Sequence, residues 1–108
     1  MNTTPERLAD AIAETVTAHP SVVRLDGGVR GSLATHLPGR KVVGVRVTGE
    51  GEPVDLGVVL RLDGALPGVL DDLRARVRDI VGDVPINVEV TDIVHLREDA
   101  TSPREDAR

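Results

Sequence analysis

Not one of the 108 residues is Phe, Tyr or Trp, and that gap constrains how this chain can fold. An aromatic side chain ordinarily buries about 150–250 Å². Without any, the interior must be assembled from Val, Leu, Ile and Ala, many small contributions in place of a few large ones. A chain of this size buries roughly 60–70% of the surface its unfolded form exposes, enough for one core without staples. Such a core implies modest stability, helped by self-association. Cysteine is also absent. That removes disulfides, thiolate catalysis and Cys-ligated zinc or iron–sulfur clusters.

Apolar spacing places the elements. Residues 5–18 read as an amphipathic helix, with Leu8, Ile12 and Val16 on one face and Ala11 beside them. Thr4 before Pro5 suits an N-cap, Thr3 with Glu6 offers an alternative capping register, and His19-Pro20 stops the helix. Residues 21–25 form a short strand and 29–35 an irregular one. Leu37-Pro38-Gly39-Arg40 has the proline and glycine of a type II turn. The next strand, 41–48, sets Val43, Val45 and Val47 on one face. Over 53–63 the alternation is clearest, with Val54, Leu56, Val58, Leu60 and Leu62 on the buried side. Leu66, Leu70, Leu73, Val77 and Ile80 then mark a helix over about 67–81, capped by Gly82 and stopped by Pro85. Residues 86–93 close the domain as a strand with Ile86, Val88 and Val90 inward.

This order, helix–strands–helix–strand, specifies an α+β fold: a two-layer sandwich with a mixed sheet of four or five strands and both helices on one face. The β-α-β unit makes strands 54–62 and 86–93 parallel with a right-handed crossover, while 41–48 runs antiparallel to 54–62. Residues 1–96 make one domain. Residues 97–108 contain no apolar side chain larger than alanine and are expected to be a disordered tail.

The balance of charge narrows the partners. Thirteen basic and 18 acidic side chains give a net charge of −5, which disfavours a general nucleic-acid or anionic-membrane surface. Twelve of the basic residues are Arg, a codon bias without functional weight. No apolar run approaches the roughly 18 residues needed to cross a bilayer. The acidic N-terminal stretch is not a signal peptide. A cytoplasmic protein without direct membrane insertion is the expectation.

The stretch GVRGSLATHLPGRKV, residues 28–42, gathers Arg30, His36, Arg40 and Lys41 among three glycines. These four side chains are the candidate surface for a protein partner or a small anion. The steric alternative is that the glycines shape turns and the charges are merely solvated. Gly28-Val29-Arg30-Gly31 also matches the GxxG loop with which KH domains clamp a nucleic-acid backbone, so a nucleic-acid-binding module is the alternative function. Against it stand strand-like flanks where KH domains have helices, the acidic charge, and the lack of any aromatic for bases to stack upon. No phosphate-binding loop or dinucleotide fingerprint occurs. His19, His36 and His95 lack metal-ligand spacing. The acid pairs Asp71/Asp72 and Glu50/Glu52 suit a helix start and a turn, and Ser21, Ser32 and Ser102 lack a nucleophile elbow. No metal, cofactor or enzymatic activity is expected.

In order along the chain, several motifs resemble the alkaline-shock-protein (Gls-type) envelope-stress family in its short actinobacterial form. After the N-terminal helix come His19-Pro20-Ser21-Val22-Val23-Arg24-Leu25 and Asp26-Gly27-Gly28. Leu37-Pro38-Gly39-Arg40-Lys41-Val42, Gly44-Val45-Arg46, Val54-Asp55-Leu56 and Leu66-Pro67 follow, and Ile86-Asn87-Val88-Glu89-Val90-Thr91-Asp92-Ile93 closes the match. The similarity spans about residues 5–95. It implies a non-catalytic cytoplasmic protein that self-assembles and is held at the inner face of the membrane by membrane-anchored partners under envelope or alkaline stress. It carries over no catalytic residue. Val54-Asp55-Leu56-Gly57-Val58-Val59 is also similar to the small α+β domains of iron–sulfur assembly factors, a likeness of topology without the cysteines.

Overall fold

The computed structural model describes residues 4–62 and 66–95; the tail expected from 97 onward, and Thr3 with its alternative cap, lie outside them. The elements are α1 (Pro5–Thr17), β1 (Val22–Leu25), β2 (Ala34–Leu37), β3 (Arg40–Val43), β4 (Val45–Arg46), β5 (Val54–Leu62), α2 (Leu66–Val81) and β6 (Ile86–His95). The expected α+β architecture is present.

β5 is the axis of a four-stranded mixed sheet. Along one edge it pairs in parallel with β6, from Val54↔Ile86 to Leu62↔His95. Its other edge is shared by two short antiparallel strands. β4 takes the first part, through Val45↔Leu56 and Arg46↔Asp55, and β1 the later part, through Val22↔Leu60 and Leu25↔Val58. The changeover falls at Gly57, whose N–H donates to Gly44 O at 2.9 Å and whose carbonyl accepts from Asp26 N–H at 2.8 Å.

Between these two short strands the chain makes an excursion, 27–43, that contains the β2–β3 hairpin. The hairpin is a separate two-stranded sheet with register His36↔Lys41 and Leu37↔Arg40, so the single sheet expected from the sequence is divided. Gly39, at φ +76, fits the third position of the anticipated type II turn. Thr35 ties the hairpin to the main sheet: its buried hydroxyl donates to Val45 O at 2.6 Å and accepts from Val47 N–H at 3.1 Å.

Two strand expectations need correction. The irregular strand expected over 29–35 is loop as far as Leu33 and pairs only from Ala34. The single strand expected over 41–48 breaks at Gly44, where φ is +87. That left-handed residue advances the side-chain phase, so Val42, Val45 and Val47 are buried while Val43 is 41% exposed.

Both helices lie on one face of the main sheet. Leu8, Ile12 and Val16 of α1 and Leu73 and Val77 of α2 share a cluster with Val54, Leu56, Val58 and Leu60 of β5. Each fully buried Leu or Ile here removes apolar area worth about 1.5–3 kcal/mol from water. The helix ends follow local chemistry. Thr4 Oγ1 accepts from Arg7 N–H at 3.2 Å, and Gly82, at φ +89, donates to Arg78 O at 2.8 Å.

Candidate functional site

The glycine-rich stretch forms an exposed turn. Gly31 N–H donates to Gly28 O at 3.1 Å, placing Val29 and Arg30 at the two central positions, with Val29 97% exposed. Asp26 Oδ2 accepts from Gly28 N–H at 3.0 Å and fixes the start of the loop. Behind the turn, Leu33 packs against Gly57 on the sheet face away from the helices. A shallow depression of about 220 Å³ opens between Gly27, Gly28, Arg30, Ser32 and Leu33 of the loop and Glu89 of β6. Its walls carry one cation and one carboxylate. The loop joins strands β1 and β2, unlike the helix-flanked GxxG loop of a KH domain.

The four residues singled out from the sequence do not form one patch. Arg30 belongs to the depression just described. His36 and Lys41 face each other across the hairpin and are exposed. Arg40 is committed elsewhere: its guanidinium donates to both carboxylate oxygens of Asp10, at 3.2 and 2.8 Å, and to Glu6 Oε2 at 3.1 Å. It therefore fastens the hairpin to α1, and its own pKa is raised by these two carboxylates.

The same contact acts on Asp10, whose carboxyl is held below its ordinary range chiefly by the hydrogen bond from Arg40. A depressed carboxylate contributes stability above its unfolded pKa and loses it as pH falls through the lower folded value. Arg40→Gln is therefore expected to move the Asp10 titration upward towards that of a free aspartate. Carbon-detected NMR of the carboxyl groups would measure it, and an unmoved Asp10 would refute the assignment.

On the outer face of the sheet a polar row crosses three strands. Arg46 Nη2 and Nε donate to Asp55 Oδ2 at 2.8 and 3.1 Å, and Asn87 Nδ2 donates to Asp55 Oδ1 at 2.9 Å. Burial opposes ionisation of Asp55, yet the hydrogen bonds from Asn87 and Arg46, with the Arg46 charge, hold its carboxyl below the usual range. Farther along β6, Glu89 and Asp92 are exposed and, among the described residues, neither joins an ion pair.

Strand edges can recruit a partner by main-chain pairing; what the sequence does not locate is which edge stays open, and that edge is the outer side of β6. Val54 N–H donates to Pro85 O at 3.0 Å, whereas Gly57 and Arg61 N–H donate to Gly44 and Ser21 on the opposite side. This alternation, with a register shift that leaves Thr91 without a partner between Val90 and Asp92, turns the N–H and C=O groups of Ile86, Val88, Val90 and Ile93 away from β5. Side chains satisfy two of those groups. Arg74 Nε donates to Ile86 O at 3.1 Å, and Asp92 Oδ1 accepts from Ile93 N–H at 2.8 Å. Among the described residues no strand borders β6 beyond β5, which leaves Val88 and Val90 with open backbone groups and half-buried side chains. A parallel β-α-β unit gives no periodicity signal for which of its strands ends the sheet.

Among the described residues no three His, Asp or Glu side chains converge in a metal-ligand arrangement, and no helix is long and apolar enough to cross a membrane. No family model matches this chain, and no curated protein or solved structure matches it either.

Proposed function

We propose that this chain is a non-catalytic protein-interaction module of the alkaline-shock, envelope-stress kind, working at the cytoplasmic face of the membrane through a membrane-anchored partner. The observation that carries the reading is the open side of β6, where the backbone groups of Val88 and Val90 await a strand. Edge strands recruit partners by main-chain pairing, with alternate side chains supplying specificity. The resemblance carried by the order of motifs from His19-Pro20 to Ile86–Ile93 supports the family and the location in this reading.

A photo-crosslinking residue at Asp92, exposed beside this edge, is expected to capture a membrane-anchored protein in native cells. The same probe at Arg78, exposed on α2, should capture it far less. Recovery of ribosomal or nucleic-acid material alone would overturn the proposal in favour of polyanion binding.

A further inference from the structure

We infer that the β6 edge receives an extended peptide segment in which apolar residues alternate with Lys or Arg. This inference rests on the interaction-module reading and names the chemistry of its partner. The edge has two unlike sides. Towards the helices stand the half-buried Val88 and Val90, which pack against the core that α2 covers. Towards the outer face stand the exposed carboxylates of Glu89 and Asp92, with no Lys or Arg anywhere in β6.

A strand pairing with Val88 and Val90 sends successive side chains to opposite faces. Its apolar positions extend the valine surface beside α2, and its intervening positions fall beside Glu89 and, past the register shift at Thr91 that returns it to the same face, Asp92. Cross-strand pairs of opposite charge stabilise such a join and like charges oppose it. This decides against a second copy of the chain as the occupant. A β6–β6 pairing would bring the carboxylates of both protomers onto one face without any cation from either strand. The two carboxylates thus select for a basic partner and guard the open edge against self-pairing.

The test uses the full chain and two synthetic peptides of equal length, one alternating Val with Lys and one alternating Val with Glu. The Val–Lys peptide is expected to bind at least about tenfold more tightly and to slow hydrogen exchange at the Val88 and Val90 amides. Added salt should narrow the gap. The E89K/D92K double variant, altered only at exposed positions, should reverse the preference. Val88→Pro removes an outward N–H that bonds nothing in β5 and should abolish binding with the thermal melt retained.

Equal affinity for the two peptides, exchange protection located elsewhere, or an unchanged preference in E89K/D92K would each overturn the inference. The outcomes separate from those of the parent reading. A membrane-anchored partner crosslinked at Asp92 but lacking a basic alternating segment sinks only the peptide chemistry. Failure to crosslink any protein sinks the module itself.

Discussion

Gly57→Ala is expected to lower the unfolding free energy by about 3 kcal/mol or more, enough to leave a core without aromatics largely unfolded. A methyl group at this position would collide with the carbonyl oxygen of Asp26 and lie 2.9 Å from Leu33 Cδ1. The leucine tip can swing aside. The carbonyl cannot, because the Asp26 backbone is pinned by its N–H bond to Gly57 O at 2.8 Å. Relief therefore requires parting β1 from β5. The matching control is Gly31→Ala, where no atom lies within 4 Å and only the positive φ of +69 opposes a side chain; its cost should stay near 1 kcal/mol. Urea melts of the two variants measure the difference, and equal midpoints would disprove the packing argument.

His19→Ala is expected to cost about 2–4 kcal/mol. The sequence reading treats this histidine as part of a helix stop, but its side chain is only 8% exposed. Nδ1 accepts from Ser21 N–H at 3.0 Å, and Nε2 lies 2.8 Å from Asp72 Oδ2. An acceptor Nδ1 places the proton on Nε2, so the ring donates to Asp72 and links the turn after α1 to α2. Truncation empties a buried site and strands the Ser21 amide. Asp72→Ala removes the other end of the link, but that carboxylate is 48% exposed and its loss should cost under about 1 kcal/mol. If the two substitutions shift the melt equally, the buried imidazole and its bond from Ser21 N–H do not carry the larger share of the link.

Much of the scaffold was legible because it depends on local period and local chemistry. The alternation from Val54 to Leu62, the heptad-like spacing from Leu66 to Ile80 and the Gly82 cap each settle an element without reference to the rest. Gly44 was not legible. Valines on both sides keep an even alternation in the sequence, and only the exchange of partners from β2 to β5 demands the left-handed backbone that throws Val43 outward. The site was harder still. Arg40 and Asp10 are 30 residues apart, so nothing local shows that one neutralises the other. The grouping of Arg30, His36, Arg40 and Lys41 rested on closeness along the chain, which a hairpin and a loop then separate. His19 reads as a terminator because its partner Asp72 lies on the other helix. The open edge of β6 is a property of the assembled sheet, and no residue announces it.

The excursion between β1 and β4 departs and rejoins at almost the same point, since Asp26 and Gly44 both bond to Gly57. The register of everything downstream is consequently indifferent to how many residues the detour contains. Length can be added at the tip, beside Gly31, where space is open, without displacing a single pair in the main sheet. The fold thus holds a position where new recognition sequence can be grafted while the older framework stays as it is.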